Sequence, residues 1–232
     1  MTRFASICPN LGRLRGGPAG ASGFAPMVFA LTALFMPLSV GCNAIRQIAL
    51  QTAPHIEKVS AEFSRLPGKK VLVYVWVPPE VKWDYPHVRL DLAAHLGGYL
   101  KQNVKNVSIV DPYQVEAYLD KSPKGEVDPV DVGRYFQADV VVHLGVYQFS
   151  VRDPGYSQYY RGRIASSVEV YELAGKDKAP QPTALHEVKV AYPDEKAIGF
   201  ANARADQVRQ ATYEVFATEV GKKFHSWDRP LD

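Results

Sequence analysis

The chain has 232 residues, 47% of them hydrophobic and 22% charged, a globular composition long enough for one or two domains. Its formal net charge of +3 is carried by Arg3, Arg13 and Arg15 in an acid-free stretch, residues 1–41. The remainder is neutral, which argues against a nucleic-acid partner, because that requires clustered positive charge.

Residues 1–23 are small, polar and basic, with RLRGG at Arg13–Gly17. Phe24–Gly41, FAPMVFALTALFMPLSVG, carries no charge. This is the order of a signal peptide, a charged n-region followed by an apolar h-region. The run of about 18 residues sits near the lower end of the roughly 17–25 that span a bilayer, and Pro26 and Pro37 shorten its helical part. It reads as a cleaved leader over 1–41, with an uncleaved single-span anchor as the alternative. The chain has two cysteines, Cys8 inside the leader and Cys42 directly after it. A mature chain starting at Cys42 can form neither an internal disulfide nor a multi-cysteine metal site. Leu38–Cys42, LSVGC, resembles the lipobox of bacterial lipoproteins. Gly41 is the small residue before the cysteine and Val40 fits the preceding place. Ser39 stands where the family prefers leucine, with Leu38 one step further out. The resemblance implies cleavage after Gly41, a diacylglyceryl group on the Cys42 sulfur and acylation of the new amino terminus. Two or three acyl chains anchor stably where one binds only weakly. Asn43, rather than aspartate, after the cysteine implies the outer membrane by the proteobacterial sorting pattern.

Residues 42–68 read as a lipidated tether and a helix, from Ile45, Ile48, Ile56, Val59, Phe63 and Leu66 at spacings mostly of three and four, broken at Pro54 and stopped by Pro67–Gly68. Lys70–Val77, KVLVYVWV, is apolar on both alternating faces and reads as a strand covered on both sides. Pro78–His87 reads as a proline-rich loop. Val88–Val104 reads as a helix with Leu92, Leu96, Tyr99 and Leu100 on one stripe, its Gly97–Gly98 pair explained by close packing on the sheet. Val107–Val110 is a short strand. Asp111–Pro112 and Asp128–Pro129 each read as an N-cap followed by proline at the first helical position. Ala138–Val151 and Tyr159–Leu173 are long strands joined at Asp153-Pro154-Gly155, and Ile164, Val168 and Val170 face inward. Leu185–Tyr192 is a further strand. A helix over Ala201–Phe224 turns Val208, Thr212, Val215, Phe216 and Val220 to the core, and 227–232 is a tail.

The fold class is therefore α/β, a single mixed sheet with helices packed on it, over residues 69–226. It starts with parallel β-α-β crossovers and continues as an antiparallel three-strand meander. Asn106–Leu119, NVSIVDPYQVEAYL, and Tyr135–Phe149, YFQADVVVHLGVYQF, resemble a periplasmic fold. It is shared by the curli-secretion lipoprotein, the amino-terminal domain of the TolB translocation protein and the lipoprotein activators of penicillin-binding proteins. Val110–Asp111, Ala138–Asp139 and Gly145 occupy the matching places. The curli-type member makes a membrane barrel from long hairpins. The loops here are shorter than the roughly twenty residues a membrane hairpin needs, so a pore is not expected.

No HExxH, nucleophile elbow or phosphate loop occurs, and the sequence implies no cofactor or metal. His143 and His186, both in strands, are the histidines that could be neighbours across the sheet. Asp84, Asp91, Asp128 and Asp131 read as loop, cap or helix-surface groups. Two aromatic segments remain as partner-binding candidates. One offers Trp83 and Tyr85, the other Tyr156, Tyr159 and Tyr160 with Arg161, the residue types that anchor protein interfaces and stack on sugars. The expectation is a lipid-anchored, periplasm-facing envelope protein, not an enzyme, that acts as an assembly or accessory factor on a protein or glycan partner. An envelope hydrolase with an unrecognised site is the competing reading. A deep cleft holding His143 or His186 beside acids would favour it.

Overall fold

The computed structural model describes residues 56–122, 127–153, 155, 158–173 and 180–230. In chain order these form β1 (Ile56–Val59), β2 (Lys70–Trp76), α1 (Pro79–Asp84), α2 (Val88–Asn103), β3 (Ser108–Ile109), α3 (Pro112–Lys121) and α4 (Pro129–Tyr135). They continue as β4 (Val140–Arg152), β5 (Tyr159–Glu172), β6 (Thr183–Tyr192), β7 (Ile198–Gly199), α5 (Ala205–Gly221), a 3-10 turn at Lys222–Phe224 and β8 (Trp227–Pro230).

The main sheet runs β3-β2-β4-β5-β6, with β7 pairing the start of β5. β2 is parallel to β3 and β4, and β4, β5 and β6 are antiparallel neighbours, so the mixed α/β sheet expected from the sequence is present. β2 lies inside the sheet because both its faces are apolar. Val71, Val73 and Val75 enter one core, and Leu72 and Tyr74 the other. Asp139 fixes where β4 starts: its carboxylate accepts the Lys70 N–H at 2.7 Å and its own N–H donates to the Lys70 carbonyl at 2.8 Å.

The first face of the sheet is closed by α2 and α5. Leu92, Leu96 and Leu100 of α2 and Val208, Tyr213, Phe216 and Val220 of α5 are all fully buried. Val215, expected inward, is only half-buried, and Tyr213 and Ala217 take the inner positions. The helix-to-sheet approach is close at Gly162 of β5, where a Cβ would lie 1.8 Å from Thr212 Oγ1 and 2.8 Å from Thr212 Cβ. Among the described residues, helices cover the second face at one end only. Val115 of α3 and Val132 of α4 pack on Leu72, Tyr74 and Val141 in a smaller core. Both short helices start as expected: Asp111 Oδ1 accepts the Tyr113 N–H at 3.0 Å and Asp128 Oδ1 the Val130 N–H at 2.8 Å, each with proline next. Arg89 of α2 ties down α3 through Glu116 at 2.6 Å and Asp120 at 2.9 Å.

Four local expectations are corrected. Residues 56–66 are not helical: Ile56–Val59 is β1, and 60–66 carries no helix. Phe63 and Leu66 are buried at helix-like spacing, but Phe63 donates its N–H to the Lys223 carbonyl at 2.9 Å and sets its ring edge-on to Phe224. A non-helical segment plugging one end of a core gives the same spacing of apolar residues as a helix turn. Residues 43–55 lie outside the described residues. Pro78–His87 is not all loop, because Pro79 stands at the first position of α1, where the missing N–H has no helical partner to lose. Trp227–Pro230, read as tail, is β8 and pairs antiparallel with β1, with Arg229 on Glu57 at 2.5 Å. Finally, close packing accounts for Gly97, whose Cβ would lie 3.1 Å from Ile109 Cγ2, but not for Gly98, which has nothing within 4 Å.

Candidate functional site

The strand register sets the site. Leu72, Val141 and Tyr171 align across β2, β4 and β5 and lie under α3 and α4. The next row on the same face is Tyr74, His143 and Glu169, and the one after it Trp76, Gly145 and Ser167. Moving along the strands, the face changes from apolar and covered to mixed and open, because α4 has seven residues and ends early. A groove of about 750 Å³ remains, floored by these rows and rimmed by Asp131 and Arg134 of α4, with Tyr147 beyond.

The middle row is a hydrogen-bonded lock. Glu169 Oε2 accepts the Tyr171 hydroxyl at 2.9 Å and meets His143 Nδ1 at 3.2 Å. An ionised carboxylate can only accept, so Nδ1 donates in this contact and Nε2 is left to face the groove. The imidazole lies between the rings of Tyr74 at 5.3 Å and Tyr171 at 6.3 Å. Tyr74 donates its hydroxyl to the Val127 carbonyl at 2.9 Å. Burial, then the bond to Glu169 and the negative charges of Glu169 and Asp128, push the Tyr171 phenol up to about 12. Tyr171 therefore stays a protonated donor at neutral pH. Ser167 directs its hydroxyl to the Gly145 carbonyl at 3.5 Å rather than to the imidazole. Among the described residues, no three His, Cys, Asp or Glu side chains cluster as a metal site.

His143 thus does stand beside an acid in a cleft, but His186 does not join it. β5 lies between their strands, and His186 has a side chain 89% exposed. Its backbone N–H and ring Nδ1 both reach Glu62 Oε2 at 3.0 Å, while Glu62 Oε1 accepts Lys223 Nζ at 2.8 Å. Partial burial acts to raise the Glu62 carboxyl. Hydrogen bonds from Lys223 and His186 outweigh it and hold the group below its usual value.

The aromatic candidates occupy other places. Trp83, on α1, is 87% exposed. Tyr85 is half-buried, edge-on to Phe149 at 4.7 Å. Tyr159 opens β5 opposite Gly199, Tyr160 stacks on Phe200 at 4.2 Å, and Arg161 donates to the Asp194 carbonyl. Cys42, Gly41 and Tyr156 lie outside the described residues. Among the described residues no helix is long and apolar enough to cross a membrane. The groove residues Tyr147, Ser167 and Arg134 were not singled out from sequence, and Asp131 reads there only as a loop, cap or helix-surface group. Their signal is a strand face that is apolar at Leu72 and Val141 and turns mixed at Trp76, Gly145 and Ser167.

No protein-family model matches the chain, and no curated protein sequence does. Among solved structures it is similar to the PelC dodecamer from Paraburkholderia phytofirmans, with a TM-score of 0.41, 9% identity and coverage of 74% of this chain and 98% of that one. It is similar to lipoprotein GNA1162 from Neisseria meningitidis, with a TM-score of 0.37, 13% identity and coverage of 66% and 97%. A minor lipoprotein from Acinetobacter baumannii is similar with a TM-score of 0.34, 14% identity and coverage of 68% and 92%.

Proposed function

We propose that this chain is a lipid-anchored cell-envelope protein whose α/β domain binds another envelope component without catalysing a reaction. The observation that carries the binding role is the half-open second face of the sheet, where an aromatic and polar groove of about 750 Å³ is left between α4 and Tyr147. LSVGC supports the anchor, with cleavage after Gly41, lipid on Cys42 and residues 42–68 leading into the domain. Asn43 favours the outer membrane, facing the periplasm. Trp83, Tyr85, Tyr156, Tyr159, Tyr160 and Arg161 supply a second set of contacts to protein or glycan. The hydrolase alternative has His143 beside Glu169 in its favour. Against it, the Ser167 hydroxyl points to the Gly145 carbonyl at 3.5 Å and not to the imidazole, so the described residues give His143 no nucleophile to activate.

The intact mass of the membrane-extracted protein tests the anchor. A chain beginning at Cys42 with acyl chains attached, and a Cys42→Ala variant that leaves the membrane fraction, are the expected results. An unacylated mass beginning elsewhere removes the anchor from the proposal. Hydrolysis of envelope substrates that is lost in His143→Ala would replace the binding role with the enzymatic one.

A further inference from the structure

We propose that the groove over Trp76, Gly145 and Ser167 is a binding site for an uncharged glycan, a short run of linked pyranose rings. This deepens the binding role proposed above and rests on it.

Shape comes first. About 750 Å³ lies within the roughly 300–1,000 Å³ of small-ligand sites, and the groove is open to solvent along its side, as a chain-like ligand requires. Its floor is flat by packing: Gly145 sits between Trp76 and Ser167, and a Cβ there would lie 2.6 Å from Ser167 Oγ. Flatness beside an indole is what a sugar face needs. Pyranose C–H bonds carry partial positive charge and meet the negative face of an aromatic ring. Trp76 and Tyr147 both line the groove and supply the rings. Tyr147 is 45% exposed, and its hydroxyl donates to Glu187, which also meets Lys189 at 2.7 Å.

Polarity and charge narrow the class. Sugar hydroxyls donate and accept together, and the groove presents both senses: the Ser167 hydroxyl, His143 Nε2, the Asp131 carboxylate and the Arg134 guanidinium. Asp131 and Arg134 lie 3.9 Å apart and nearly cancel, and Asp128 caps its helix. With no surplus of cations among its described lining residues, the groove is a poor match for a phosphate or a nucleotide. Polar groups at its centre also make it a poor hydrophobic hot spot for a protein partner, where the anchors sit in desolvated pockets.

Cellotetraose and chitotetraose are suitable probes, because their equatorial linkages leave unbroken C–H faces on both sides of each ring. Detergent-solubilised full-length protein is titrated with each by calorimetry, with inorganic phosphate as the charged control. Saturable binding of at least one sugar is expected, with no phosphate binding. Trp76→Ala and Tyr147→Ala should each weaken it by about tenfold, the scale of one lost stacking contact and its buried area. Trp76 is half-buried, so Tyr147→Ala, at an exposed position, is the variant that decides if Trp76→Ala loses its fold. Absence of saturation at millimolar sugar, or undiminished binding by a folded Tyr147→Ala, overturns the glycan site. A photo-crosslinker at Tyr147 separates this failure from failure of the binding role. Joining to a protein or to a second copy, with sugars inert, removes the glycan and keeps the binding face.

Discussion

The two faces of the sheet are built from the same strands but finished differently. The first carries α2 and α5 along its length and buries Leu144, Ile164, Phe216 and Val220 to 1% exposure or less. The second carries the shorter α3 and α4 over Leu72 and Val141, and among the described residues Trp76, Gly145, Tyr147 and Ser167 line a groove beyond them. Helix length decides which part of a sheet is core and which is surface. The closed face holds the fold, and the open half is where a partner can reach rigid, strand-borne side chains.

The largest effect should come from emptying the closed face. Phe216→Ala is expected to destabilise by about 3–5 kcal/mol in urea unfolding, through lost burial and a residual cavity. A loss under 1 kcal/mol would mean that the first face is not the main core. A matched pair sharpens the contrast. Gly162→Ala forces a Cβ against the Cβ and hydroxyl of Thr212, whereas Gly133→Ala in α4 meets only the side-chain tips of Val141 and Leu173, at 2.4 and 2.5 Å. Overpacking of this kind costs about 1–3 kcal/mol, and helix propensity returns up to about 1 kcal/mol at Gly133, so Gly162→Ala should lower the melting temperature more.

A smaller effect is expected on acidification. Glu62 links Lys223, after α5, to the edge strand β6 at His186. Its carboxyl is held below the ordinary 4.5 in the fold, so its contribution is complete above that value and fades as pH falls through the lower folded one. Glu62→Gln should reduce the loss of stability between neutral pH and that range, and an unchanged pH profile would count against the clamp. The smallest effect belongs to the open half: Tyr147→Ala should change stability by no more than about 0.5 kcal/mol while weakening ligand binding. A strongly destabilised variant would make that ring structural.

Much of the framework on both faces was legible from sequence, because each element signals locally. The two-sided apolar run of β2, the caps at Asp111 and Asp128, and the stripe of α2 are patterns within a few residues of each other. The groove was not legible in the same way. Trp76, Gly145 and Ser167 become neighbours only through the register of β2, β4 and β5, which depends on bulges such as the one between Val146 and Gln148. The helix expected over 56–66 has the opposite cause: Phe63 and Leu66 give a local pattern that a non-helical plug satisfies equally well. Gly145 was matched to a strand position in a fold pattern, yet its place in the groove floor depends on Ser167, 22 residues away.

Hydroxyl-radical footprinting of Trp76 and Tyr147, on intact envelopes and on the purified protein, tests most directly whether the open half is a working surface. Tyr113, 69% exposed at the start of α3, serves as the internal reference. Lower modification of Trp76 and Tyr147 in the envelope, with Tyr113 unchanged, is the expected result. Equal modification of Trp76 and Tyr147 in both samples would contradict a binding role for this face.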